Sequence, residues 1–226
     1  MSTSRLEAFS DGVFAIAITL LVLTIAQPGD YRRLGHSLAG QWPALAAYVV
    51  SFAVIGIMWL NHHTLVSHVR QVDRRLILYN LVLLMTIGFL PYPTGVFGEA
   101  LARGQGTRTA AVFYSATMFV NACAWAGLWL HASGARRLLV PSFPEEQRRK
   151  VTVLFCLGVV VYAGSAGVAL VNAGACLAFH GVLAVYYALD PLAPGSGRRR
   201  RRTGAAETPY PAGTDSGSPP AQGARP

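Results

Sequence analysis

Arg5, Ser10 and Asp11, with Phe9 among them, stand at the edge of a strongly apolar run that reads RLEAFSDGVFAIAITLLVLTI over residues 5–25. A carboxylate at membrane depth is costly and usually faces a bundle interior or a partner charge. Arg5 lies six residues before Asp11, nearly two helical turns, so a direct pair within one straight helix is awkward. Contact with another helix or another subunit is easier to build. The same Ser10-Asp11-Gly12 stretch also reads as an N-cap that simply starts a helix. Further along, Ile16, Leu20 and Leu23 recur at i, i+4 and i+7 and line one helical face, with Thr19 on its flank. By spacing alone that stripe means packing or lipid contact.

These side chains need a spanning helix to carry them, and the whole chain has the composition of a membrane protein. Hydrophobic residues make up 53% of it and charged residues 13%, with a mean hydropathy of +0.40. A soluble domain carries about a quarter charged residues. A helix needs roughly 20 apolar residues to cross the bilayer core. Stretches over 8–27, 43–62, 76–98, 109–131, 151–171 and 174–190 satisfy this, so the expected fold is all-α with six transmembrane helices. Residues 151–190 form one apolar block, broken strongly only by Asn172 and His180. It reads as two helices with a very tight connection around Asn172–Gly174; five spans is the alternative count.

Charge sets the expected orientation, because Lys and Arg gather in cytoplasmic loops. Arg5, Arg70, Arg74, Arg75, Arg136, Arg137, Arg148, Arg149, Lys150, Arg198–Arg202 and Arg225 fall on one side, fifteen of the nineteen basic residues. Arg32, Arg33, Arg103 and Arg108 fall on the other. Both termini are therefore expected in the cytoplasm, in a multi-pass protein of a cell inner membrane or plasma membrane. The net charge of +9 then needs no nucleic-acid partner. The first apolar stretch lacks a small-residue cleavage site and reads as a retained span. Residues 1–192 make up the expected membrane domain. The tail over 193–226 is rich in Pro, Gly and Ser, and its composition predicts disorder. Its run Arg198–Arg202 suits anionic lipids of the inner leaflet. Cys123, Cys156 and Cys176 fall inside predicted spans without metal-binding spacing, so no metal or cofactor is expected.

The segment R-x-x-x-F-S-D, formed by Arg5, Phe9, Ser10 and Asp11 and followed by GVFAIAITLLVL, resembles the signature of the transmembrane protein 175 family. Its members are endolysosomal potassium channels in animals and single-repeat, six-helix homologues in bacteria. The likeness continues through Trp59, His62, His63, Asp73, Asn80 and the FLPYPTG run at 89–95. It covers residues 5–98 well, and the rest by helix number and length.

The resemblance implies a homotetramer with four first helices around a central pore for potassium ions. Ile16, Leu20 and Leu23 would face that pore, and Thr19 would place a hydroxyl near it. Arg5, Phe9, Ser10 and Asp11 would hold the helices together, with Trp59, His62, His63 and Asn80 as candidate partners. No TVGYG-like filter segment occurs in the chain. An aliphatic constriction closes by dewetting and offers no replacement ligands for a dehydrated ion, which predicts modest potassium-over-sodium selectivity. Thr24 stands where family members often carry an acidic residue, so the outer entrance is expected to be less negative. Two other functions compete. Gly88, Pro91 and Pro93 interrupt the third span, as helices of a proton-coupled secondary transporter are interrupted. Six histidines invite haem ligation, with His131 and His180 as the pair to test.

Overall fold

The computed structural model describes residues 2–135 and 138–188. Arg136, Arg137 and the tail over 193–226, with its Arg198–Arg202 run, lie outside the described residues. Among those described the chain is helical, apart from loops and one isolated antiparallel bridge between Val69 and Leu139. The elements in order are α1 (Thr3–Leu20), which continues as a 3₁₀ turn (Leu21–Thr24), a second 3₁₀ turn (Tyr31–Arg33) and α2 (Leu34–Gly40). They continue with α3 (Trp42–Ser67), α4 (Arg74–Phe89), α5 (Pro91–Arg103), α6 (Thr107–Gly134), α7 (Glu145–Val171) and α8 (Ala173–Ala188).

Among the described residues, five helical stretches are long and apolar enough to cross a membrane: α1 with its 3₁₀ turn, α3, α4 joined to α5, α6 and α7. The apolar α8 has 16 residues, about 24 Å at 1.5 Å per residue, against a core of about 30 Å. The first helix begins at Thr3, so Ser10 and Asp11 lie mid-helix and do not cap it. The short α2 has no counterpart among the predicted spans.

Two local devices shape the bundle. Between α4 and α5, Pro91 takes the first position of the new helix, where its missing N–H is not needed. Leu90 keeps right-handed helical angles across that break, so the two helices form one span. Between α7 and α8, Asn172 leaves the helix in an extended conformation, and its Oδ1 accepts from the Ala175 N–H at 2.9 Å. That amide is the N-cap that permits so tight a connection.

Packing follows small residues and aromatic plugs. The first helix lies against α3 and α4, while α6 packs on α4, α5 and α7. Leu6, Phe14, Ala17 and Leu21 form its buried face. Phe14 meets the His62 ring at 5.4 Å, and Trp125 of α6 covers that ring from another side at 6.1 Å. At the far end of α1, α5 comes so close that a Cβ on Gly95 would stand 2.8 Å from Thr24 Cβ. A buried hydroxyl chain backs this contact. Thr94 donates to Ser51 Oγ at 2.9 Å, and Ser51 bonds the Tyr114 hydroxyl at 3.1 Å.

Gly95→Ala is expected to lower stability by about 1–3 kcal/mol, the cost of overpacking a close helix contact. Gly88→Ala meets nothing within 4 Å and should be neutral or stabilising, because alanine is the better helix former. Thermal melting of the two purified variants checks the contrast.

Candidate functional site

The motif of the first helix divides between two faces. Ser10 is fully buried, Asp11 is half-buried, and Arg5 and Phe9 are exposed. Ser10 donates its hydroxyl proton to the Leu6 carbonyl at 2.8 Å. Its oxygen can then accept, and the Asn80 amide of α4 donates to it at 3.0 Å. This leaves the Asn80 Oδ1 as an acceptor for His62 Nε2 at 2.8 Å. A carboxamide oxygen cannot donate, so His62 carries its proton on Nε2. The imidazole Nδ1 is buried and has no partner among the described residues. One polar thread therefore joins α1, α4 and α3 inside an apolar core.

A second set of contacts runs along the more exposed edge of the α1–α3 contact. The Trp59 indole N–H donates to Asp11 Oδ1 at 2.8 Å. One turn away, His63 Nδ1 meets Glu7 Oε1 at 2.8 Å. Glu7 and Asp11 are four residues apart on α1, and Trp59 and His63 four apart on α3. Two antiparallel helices bring such pairs opposite one another as two rungs.

Glu7 was absent from the sequence-based set of site residues. Its i, i+4 relation to Asp11, set against the same spacing of Trp59 and His63, was the signal that could have found it. Asp73 holds a different place: it caps α4 by accepting from the Leu76 N–H at 2.7 Å and meets His131 Nε2 at 3.1 Å. Arg5 makes no hydrogen bond or ion pair with the described residues. The two histidines considered for haem each have a local partner at one nitrogen, and the His180 Nε2 is buried with no partner among the described residues. His131 pairs with Asp73, and His180 Nδ1 donates to the Cys176 carbonyl at 2.8 Å.

The opposite face of α1 is bare. Ile16 is 60% exposed, Leu20 41% and Leu23 76%. Thr19 donates its hydroxyl proton to the Ile16 carbonyl at 2.9 Å, which leaves its oxygen lone pairs outward.

Residues 5–91 match the family pattern described as endosomal/lysosomal potassium channel TMEM175. A potassium channel of Streptomyces collinus is 45% identical over 190 residues, 83% of this chain and 92% of that one. The chain belongs to the TMEM175 family. The crystal structure of a homologue from Chamaesiphon minutus, described as a lysosomal potassium-selective channel homologue, superposes with a TM-score of 0.74. It has 35% identity, and the match covers 83% of this chain and 96% of that one. The human endosomal/lysosomal proton channel is 41% identical over 101 residues, 40% of this chain and 20% of its own. The TMEM175 fold and these relatives make the chain a multi-pass membrane protein of an ion-channel family. Those relatives are channels and not enzymes, which sets the haem reading aside.

Burial ranks the contacts. Asn80→Leu strands Ser10 and His62 in the core and is expected to cost about 1–3 kcal/mol. Glu7→Gln alters a partly exposed pair and should cost under about 1 kcal/mol. Melting curves of both variants, followed by tryptophan fluorescence, test that order.

Proposed function

We propose that the chain forms a homotetrameric, potassium-permeable cation channel, with four first helices around one axis. Rings of Ile16, Leu20 and Leu23 make its hydrophobic gate. The observation that carries this reading is the division of α1 into two faces. The face bearing Ser10, Phe14 and Ala17 is consumed by packing within the subunit. The aliphatic stripe is left outward for another surface.

Lipid would also accept such a stripe, but two features favour a pore. The stripe belongs to a helix whose other side the subunit pins with polar contacts at Glu7, Ser10 and Asp11. The chain's relatives include potassium channels over nearly its whole spanning region. A closed ring of branched side chains excludes water, and a cation cannot enter without it. Opening then requires the helices to move apart until the ring hydrates. Thr19, its proton given to the backbone, offers an oxygen beside the path. Arg5 is exposed near the N-terminus of the helix and is available to a neighbouring subunit. With α8 counted as the sixth span, both termini are expected on the same side of the membrane, the cytoplasmic one by charge. The tail over 193–226, with Arg198–Arg202, would then meet anionic lipid headgroups at the inner face of the cell membrane.

Flux from potassium-loaded liposomes tests the reading, with sodium substituted in parallel. Leu20→Ala and Ile16→Asn each remove a dewetting barrier. Lowering that barrier by about 1.4 kcal/mol raises flux about tenfold, with a modest preference for potassium over sodium. A folded tetramer that passes no ions, as wild type or as either variant, would instead point to a proton-coupled secondary transporter.

A further inference from the structure

Away from the first helix, the bundle leaves a cleft with an unusual floor. Helix α3 packs on α1, α5 and α8, and α7 packs on α6 and α8, but α3 and α7 stand apart. Side chains of α6 floor the gap between them. The cleft has a volume of about 60 Å³, with Ile57 and Asn61 on one wall and Phe155 and Tyr162 on the other. Asn121 and Trp125 rise from the floor.

Asn121 decides what can sit there. It is 1% exposed, and its orientation follows from its neighbour. The Thr86 hydroxyl donates to the Leu83 carbonyl at 2.7 Å, so towards Asn121 it can only accept. The Asn121 amide nitrogen therefore takes that side, donating at 2.7 Å. Its Oδ1 is left for the cleft and accepts no hydrogen bond from the described residues. Asn61 likewise makes no side-chain hydrogen bond with them.

An occupant that satisfies Asn121 must bring a proton, which a saturated lipid chain cannot do. It must also be neutral, since no acidic or basic side chain lines the cleft and an unpaired charge is costly at this depth. The Trp125 and Phe155 rings stack on each other, 5.7 Å apart and 8° from parallel, and both line the cleft. We propose that the cleft between α3 and α7 is a binding site for a neutral aromatic alcohol. Its hydroxyl donates to Asn121 Oδ1 and its ring lies beside Trp125 and Phe155. A smaller cavity shares the Asn61 and Phe155 walls and is lined further by Thr64 and Gln147. The site stands whether or not the chain conducts ions.

Photolabelling of the full-length protein in lipid nanodiscs tests it, with a diazirine-bearing benzyl alcohol as probe and its methyl ether as the donor-free match. Labelled peptides are mapped by mass spectrometry. The alcohol is expected to label cleft residues such as Ile57 and Phe155 about tenfold more than the ether does, the worth of one hydrogen bond. Excess benzyl alcohol should compete that label away. Asn121→Leu should erase the preference for alcohol over ether. If that variant does not fold, Ile57→Trp, which fills the cleft from its α3 wall, should abolish the competed label at Phe155. Equal labelling by both probes would overturn the proposal. So would label spread over outward-facing residues without competition, because the cleft would then hold water or lipid only.

Discussion

The hydrogen-bond thread from the Leu6 carbonyl through Ser10 and Asn80 to His62 is the constraint on which the rest of the site depends. Hydrocarbon offers no water to an unpaired polar group, so a polar side chain in a spanning helix must find its partner within the protein. The Asn80 amide can do so only if the Ser10 face of the first helix is turned to α3 and α4. Once that rotation is set, every other residue of the helix has its direction. Phe14 and Ala17 enter the core, and Ile16, Leu20 and Leu23 point away from it. A polar contact that stabilises modestly thus fixes the helix in rotation, which apolar packing alone specifies less sharply.

The two ends of that helix are held by different physics. At the N-terminal end, Glu7 and Asp11 meet His63 and Trp59 in partly exposed polar contacts, whose strength depends on solvent and salt. At the other end no charge takes part. There the 3₁₀ turn carrying Thr24 is pressed against Gly95, and the Thr94–Ser51–Tyr114 hydroxyls tie α5 to α3 and α6 behind it. A tightened 3₁₀ turn at the end of a helix, backed by a glycine that leaves no space for a side chain, is a steric stop.

Much of this was legible in the residues, and the parts that were not have identifiable causes. The apolar lengths gave the five long spans to within about six residues at each end, and the Asn172–Gly174 connection was readable because only a very short turn could split that block. The break at Leu90 fell inside one predicted span, because Pro91 at a helix start interrupts hydrogen bonding without interrupting hydrophobicity. Helix α2 escaped because LGHSLAG has neither the length nor the periodicity of a span. The start of α1 at Thr3 was obscured by Ser10 and Asp11, whose types suit a cap as well as a buried contact. Glu7 was hidden for a related reason: a lone acid near a helix start is ordinary until its partner on another helix is known.

Composition, apolar run length and arginine placement determined by themselves that this is a helical membrane chain. The R-x-x-x-F-S-D run determined its family, since a long motif of costly polar residues in an apolar segment seldom arises by chance. Only the tertiary structure decided which polar groups meet. Asn80 lies seventy residues from Ser10, and spacing along a chain carries no information about which helix packs beside which. The tautomer of His62, the outward turn of the aliphatic stripe and the bare Asn121 oxygen are likewise properties of packed neighbours. Each depends on where another helix has placed a donor, an acceptor or nothing at all.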